Sequence, residues 1–535
     1  GEFGSNDGQD NAERITQFGL GAGKKPAVRV LGQLSPPALF TEPLETEEEQ
    51  GSIPLATETG IPDETSGVEV DSEIGDGEFG SAGTGSGDFD FFKVTASAGE
   101  AIRANTAGSD FDTILIVYDA DGNILASNDD ANGTFQSDLT FLAPADGDYF
   151  VLVTGFLCLP EDPFDPSSGT GAESEGAYHL EITVGPLDQD FYAVRLKPGD
   201  VLGGMIKGAA IDMTVHKPNG EERIVSEFAD ASFIYPMQSP LPGAGGDGNA
   251  SFAYVAEEGG WYTVSTSNGD GPYQMQLEVY RPGSEAAGPG KTQKIFLDFD
   301  GERVNTGVFG GFGVVTLSPL SAFLGRWGLP NGRLNAVIDQ VVATVKENIK
   351  QDLVAKGLNP NVKVKVLNSR DDPDPFGNPN VSRVIVGGTI AQSGVPTIGI
   401  AQSIDPGNFA HEETALVLLD TVSDPDPNDD ASFNFYFGPG TNKVKFIGTA
   451  LGNVVSHETG HFVGSFHVDQ FNDVLNLMDQ GGNFALLYGV GDDGVGGTAD
   501  DPDVDFGVDT YNPNEGFAGL ENTLNNTAWA FRPGQ

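Results

Sequence analysis

VVSHETGHFVGSFHVDQ, residues 454–470, decides how this chain is read. The whole sequence holds six histidines in 535 residues, and three fall here: His457, His461 and His467. His457 and His461 are four apart. On a helix that spacing puts both imidazoles on one face, about a turn apart, where one ion can meet both. Glu458 lies beside the first and points to the rim of the same face. A catalytic zinc takes three protein ligands and keeps one position for water. The helix supplies two, and a continuing helix would carry His467 away from the ion. Gly464 lies between them, and glycine accepts the left-handed conformation that turns a chain at a helix end. The spacing therefore predicts a helix from about Asn442 to the Gly464 region, a break there, and a return of His467 towards the other two.

Taken whole, the pattern is H-E-x-x-H-x-x-G-x-x-H, which resembles the zinc-binding signature of metzincin metallopeptidases. That family also carries a methionine turn beneath the metal. NLMDQGG places Met478 eleven residues after His467, a fitting distance. The resemblance implies zinc held by His457, His461 and His467, with Glu458 as general base, Gly464 as the turn and Met478 as the hydrophobic floor. The implied reaction is hydrolysis of a protein or peptide substrate by a zinc-activated water. The substrate would lie extended on a sheet edge. SRVIVGGT and TIGIAQSI both qualify as that edge, and the sequence does not choose between them. One position departs from the family. Several branches place a tyrosine two residues after the turn methionine, where this chain has Gln480. Tyr488 and Tyr511 lie further on without an assignable role.

Working outward, the stretch from 294 alternates strand and helix, as the metzincin upper subdomain does. KIFLDFDG, VKVKVLNS, SRVIVGGT, TIGIAQSI and ETALVLLDTV read as strands. LNAVIDQVVATVKENIKQDLVAKG is a helix, with Val337, Val341 and Val345 recurring every four residues. Gly357 and Pro360 stop it.

Upstream the texture is β. DFDFFKVTAS, TILIVYDADGNILAS, SDLTFLAP, GDYFVLVTG and AYHLEITVG are short strands separated by Gly/Asp turns, the pattern of an antiparallel sandwich. About a hundred residues later they recur: DFYAVRLKPGD answers the first, IDMTVHKPNGEER the second, GGWYTVSTS the fourth and PYQMQLEVY the fifth. The chain thus carries an internal repeat. It resembles bacterial pre-peptidase C-terminal-type domains, jelly-roll-like modules found beside secreted peptidases. The expected organisation is a cloning scar and acidic flexible segment over 1–74, one sandwich over 75–185, a second over 186–282 and a linker over 283–293. A metzincin-like α+β domain with a mixed twisted sheet follows over 294–535. Two all-β sandwiches followed by one α+β domain is the expected fold class.

Charge bounds the partners. The chain has 79 acidic and 27 basic residues, a formal net charge of −52. Nucleic-acid binding needs a basic face, so it is excluded, and an anionic membrane surface would repel the chain. Such acidity suits a cation-rich exterior or serves solubility alone. No apolar run reaches 18 residues, so no membrane span is expected. No signal peptide opens the sequence; GEFGS reads as a cloning scar and is set aside. Cys158 is the one cysteine, so no internal disulfide forms, and calcium is the expected staple of a secreted monomer.

Acidic loops recur at 127–133, 368–377, 423–432 and 491–509. Closely spaced aspartates with Gly or Asn turns can offer calcium its oxygens. The last loop, with Asp492, Asp493, Asp500, Asp501 and Asp503, is the leading calcium candidate, although the EF-hand pattern is not met. Cys158, in CLPED, offers a latency ligand of the kind some metzincins hold on their zinc. His411 has Ala415 where a second ligand would stand, and His179 and His216 lie in the sandwiches, so all three are read as structural. The expected protein is a secreted bacterial zinc endopeptidase. The alternatives are an extracellular binding or adhesion protein with a vestigial or latent peptidase domain, and a zinc hydrolase of non-peptide substrates.

Overall fold

The computed structural model describes residues 6–531 apart from 35–43, 45–49, 63–65, 76–87, 132–133, 157, 169–173, 186–187, 228–230, 243–247, 268, 270, 287–291 and 360. GEFGS and most of TEPLETEEEQ lie outside the described residues.

The strands of the internal repeat fold into two sandwiches with one shared strand order. In the first, one sheet runs Thr57–Glu58, Asp90–Ala96, Gly147–Gly155, Thr113–Asp119, Ile124–Asn128. The facing sheet runs Gly67–Ile74, Gly176–Gly185, Ala101–Asn105, Asp138–Leu142. In the second, the same places are taken by Glu13–Arg14, Asp190–Leu196, Gly260–Thr266, Asp212–His216, Glu222–Glu227 and by Ala27–Leu34, Gly271–Tyr280, Val201–Gly208, Ala250–Val255. Inward-facing Val, Ile, Leu and aromatic residues of each pair of sheets interdigitate, as alternation along a strand requires.

This arrangement corrects the reading of residues 6–74 as a flexible segment. Glu13–Arg14 and Ala27–Leu34 belong to the second sandwich, Thr57–Glu58 and Gly67–Ile74 to the first. The second sandwich is therefore discontinuous, with the whole first module inserted between its early and late strands. The boundaries at 75 and 186 do not describe it. Ala27–Leu34 hid for a physical reason. It is an edge strand held by main-chain pairing to Gly271–Tyr280, and of its side chains only Leu34 is buried. Main-chain hydrogen bonds leave no mark on hydropathy.

The C-terminal unit has a five-stranded sheet ordered Val364–Asn368, Gln293–Asp298, Val381–Val386, Thr414–Val417, Gly399–Ala401. The first four are parallel, and Gly399–Ala401 is antiparallel at the edge. TIGIAQSI thus forms the edge and SRVIVGGT is interior. Helix Leu334–Lys346 continues through a π-helical turn, Glu347–Gln351, into Asp352–Lys356 and ends at Gly357 with φ +68°. It crosses helix Lys443–Phe462 at close range. A Cβ on Gly448 would lie 2.4 Å from Gln340 and one on Gly452 2.5 Å from Thr344. From the π turn, Asn348 donates to Asn453 Oδ1 at 3.2 Å and Ser456 Oγ at 3.0 Å. These buried bonds fix the second helix in rotation as well as position.

The second sandwich and the C-terminal unit share structure. Strand Phe517–Asn522 pairs with Glu222–Glu227, so the sandwich sheet runs on through Phe517–Asn522 to Val508–Thr510. Asn525 donates to Val255 O at 2.8 Å, and Arg281 lies over the Trp529 ring. The expected linker 283–293 is partly packed: Gly283–Ala286 is a helical turn, and its Ser284 donates to Ala530 O at 2.6 Å. Among the described residues, no helix is long and apolar enough to cross a membrane.

Candidate metal centre

Asn442 caps helix Lys443–Phe462, its side chain accepting from Lys445 N. From Phe446 onward nearly every residue of this helix is buried. The helix ends where the sequence places its break. Gly464 has φ +94°, and a Cβ there would lie 2.2 Å from Pro406 Cα, so both conformation and space demand glycine. Gly464 N closes the turn onto His461 O at 3.0 Å. The chain then doubles back and returns His467 to the helix. The rings of His457, His461 and His467 stand 4.8–5.3 Å apart between centroids, and one nitrogen from each lies within 4.8 Å of the others.

The protonation of these rings follows from their partners. His457 Nδ1 donates to Leu477 O at 2.7 Å and His461 Nδ1 to Ser465 O at 2.8 Å. A carbonyl can only accept, so each Nδ1 carries the proton and each Nε2 presents a lone pair. Those two Nε2 atoms face each other at 3.2 Å. Burial, and then the neighbouring His467, push His457 down to about 3. Burial, His457 and His467 hold His461 well below its ordinary value. Two buried lone pairs aimed at a common point are an arrangement that a cation placed between them would satisfy. His467 Nδ1 meets Glu515 Oε2 at 2.8 Å, a carboxylate–imidazole contact that orients the third ring. Three imidazoles with one side open form a donor set that a zinc ion takes up readily.

Glu458 is wholly buried, and burial raises its carboxyl well above the usual range. Among the described residues its Oε2 has no hydrogen-bond partner. Gly399 on the edge strand makes room for it: a Cβ there would lie 2.0 Å from Glu458 Oε1. Met478 is buried with its sulfur against Gly460, where a Cβ would approach within 2.4 Å, so it packs under the two-histidine turn. The three histidines and Glu458 open into a cavity of about 600 Å³ whose far side is the edge strand and its continuation to Ile404.

Gln480 also lines this cavity, but both ends of its amide are engaged, accepting from Asn512 at 2.8 Å and donating to Glu515 at 2.6 Å. Tyr488 reaches the cavity wall while its hydroxyl donates to Ala431 O, and Tyr511 lines a separate cavity. Cys158 is not brought to the site. It is buried in an apolar cluster of the first sandwich with Phe91, Ile116 and Leu152, and burial pushes its thiol up. A core position suits a short apolar-tolerant thiol better than a metal-seeking one. Among the described residues, Asp492, Asp493, Asp500, Asp501 and Asp503 of the 491–509 loop do not gather around a common point, while Asp505 of the same loop lies with Glu347 and Asp352. Asp500 and Asp501 accept from Thr498 Oγ1, Asp500 also from Asp493 N and Asp501 from Gly497 N, while Asp493 accepts from Val495 N. They are turn acceptors, and Asp492 and Asp503 join no cluster with them. His411 accepts from Gln293 and Ser382 through its carbonyl, and His179 and His216 stay in the sandwiches.

Sequence reasoning missed Glu515 and Gly399. Glu515 is 48 residues beyond His467 and Gly399 is 59 before Glu458, so no local pattern joins either pair.

Comparison with known proteins finds a bacterial pre-peptidase C-terminal domain at residues 88–155, inside the first sandwich. A protein of Deinococcus radiodurans named as a probable subtilase-type serine protease is 42% identical over 103 residues, 18% of this chain. The chain spans only 14% of that relative's length. Among solved structures, the Aeromonas hydrophila periplasmic inhibitor of g-type lysozyme is similar at 15% identity, with 24% of this chain against 96% of that one and a TM-score of 0.16. The pre-peptidase C-terminal domain of a Bacillus anthracis collagenase is similar at 16% identity, with 22% against 88% and a TM-score of 0.14. Scores this low carry no argument.

Proposed function

We propose that this chain is a secreted zinc-dependent endopeptidase of metzincin type. The observation that carries the reading is the convergence of three imidazoles beside a buried, unpartnered Glu458 oxygen, all facing an open sheet edge. His457, His461 and His467 would hold the metal. Zinc bound there would supply Lewis acidity, bringing the pKa of its water towards about 7 and polarising a carbonyl.

The chain's own groups do the rest. Leu477 O, Ser465 O and Glu515 fix the orientation of the three rings, so the site is assembled before substrate arrives. Glu458 Oε2 is the proton acceptor. It takes a proton from water in the cleft and returns it to the leaving amine, a two-way role open to a carboxylate whose free oxygen faces the metal cavity. The edge strand Gly399–Ala401 offers main-chain groups to an extended peptide, which sets the scissile bond across the cavity by strand addition. The pre-peptidase C-terminal domain supports a proteolytic and extracellular setting.

The test pairs metal analysis with peptide cleavage. The purified chain should hold one zinc and cut a casein-derived fluorogenic peptide, and a chelator should abolish cutting. Glu458→Gln should keep the zinc and lose turnover by at least about 10²-fold. Equal activity in Glu458→Gln, or activity indifferent to chelator, refutes the reading.

A further inference from the structure

The two sandwiches share a strand order, yet one connection differs. Between the strands Ile124–Asn128 and Asp138–Leu142 the first module uses residues 129–137. The equivalent connection of the second module, 228–249, is more than twice as long. Closing the same two strands does not need that length. The extra chain reaches the metal cavity. Its turn Ala231–Ile234 approaches the C-terminal unit, where Ile404 N donates to Ile234 O at 3.0 Å. That bond is made just beyond the edge strand Gly399–Ala401, so any strand laid along the edge meets the sandwich at that end. Tyr235 and Leu241 anchor the segment in a buried cluster with Val201 and Trp529. Phe233 is left 79% exposed and Met237 94% exposed. Phe233 and Ile234 line the same cavity as His457 and Glu458, and among the described residues no charged side chain lines it apart from Glu458 and the histidines.

We propose that this segment of the second sandwich is one wall of the substrate cleft and that Phe233 is a specificity-determining residue. It selects an extended peptide carrying a bulky apolar side chain where the peptide passes the wall. The proposal rests on the peptide-hydrolysis reading of the site and adds to it the substrate class. Three observations join in it: the edge strand, paired on one side by Thr414–Val417, recognises an extended backbone, the uncharged lining disfavours charged side chains, and an anchored segment holds an aromatic ring out into the cleft. The second sandwich is then part of the catalytic unit, in keeping with the sheet that runs through both.

The experiment uses the full zinc-loaded chain and a peptide library with one position varied at a time. Phe233→Ala should keep the wild-type melting temperature and zinc content, because the side chain is exposed. It should lower kcat/KM about tenfold or more for peptides bulky and apolar at one position, and hardly at all for peptides with alanine there. Phe233→Leu should recover part of the loss. In parallel, fluorescence anisotropy measures binding of the same peptides to Glu458→Gln with and without Phe233→Ala, and the same side-chain dependence should appear in Kd. An unchanged preference in Phe233→Ala overturns the proposal, as does failure of these peptides to bind. Binding that depends on Phe233, with no cleavage by the wild-type chain, sustains the wall and instead removes the hydrolytic reading.

Discussion

Gly399→Ala perturbs the proposed chemistry with the smallest change available. Gly399 has an ordinary φ, so its backbone accepts alanine. The new Cβ would lie 2.0 Å from Glu458 Oε1, 2.8 Å from Cδ and 3.2 Å from Cγ. The closest of these falls about 1.4 Å short of van der Waals contact. Glu458 cannot retreat as a whole, because its helix is held by Asn348 through Asn453 and Ser456. The carboxylate head must therefore swing away from the edge strand, which is also where substrate would lie. Misplacing a catalytic group by about 1 Å costs about 10²-fold, or ~2.7 kcal/mol of barrier. Overpacking adds about 1–3 kcal/mol of destabilisation, which a chain with cores this extensive survives. The three heavy atoms nearest the new methyl group all belong to Glu458, so the variant should retain one zinc per chain. kcat/KM on a fluorogenic peptide, zinc by elemental analysis and a thermal melt measure the three effects. Glu458→Asp in the Gly399→Ala background shortens the crowded side chain and should cost less than the sum of the single changes. Wild-type kcat/KM in Gly399→Ala, or zinc lost in step with activity, would refute the reasoning.

Other consequences are as direct. Glu515→Ala frees the His467 ring and should weaken zinc binding about 10–100-fold, read by competition with a fluorescent chelator; an unchanged affinity would remove Glu515 from the metal's support. Burial, and then the neighbouring Asp300 carboxyl, push Asp298 up to about 8 from 3.8. The folded chain therefore keeps a proton that the unfolded chain releases. The stability this group contributes is full below pH 3.8 and is lost as pH rises through 8. Asp298→Asn should flatten that fall in a pH series of denaturant melts, and an unaltered slope would count against it. Cys158 should resist aromatic disulfide reagents in the native chain and react within the unfolding transition, without effect on peptide cleavage before it. Rapid labelling of the native chain would place the thiol outside the core.

The centre of the candidate site was legible because its determinants are local. Three histidines, a glutamate and a glycine within eleven residues fix a helix face and a turn, and the helix Lys443–Phe462 and Gly464 stand where that spacing puts them. Strand repeats were legible for the same reason, since alternation is written within each strand. The acidic loop at 491–509 misled because turn aspartates and calcium-ligating aspartates share one composition; what separates them is whether the oxygens face one point or their own backbone. Cys158 misled because a motif cannot report burial.

The sequence by itself determined that His457, Glu458 and His461 share one helix, where that helix must stop, and that strands recur in two sets. Tertiary structure alone decided the connections between distant residues. It wrapped the second sandwich around the first with the weakly apolar strand Ala27–Leu34, joined that sandwich to the C-terminal unit through Phe517–Asn522, and set Gly399, Glu515 and Phe233 around the histidines. Main-chain pairing and close packing bring these groups together, and both depend on shape rather than on residue type, so neither leaves a period or a spacing in the chain to be read.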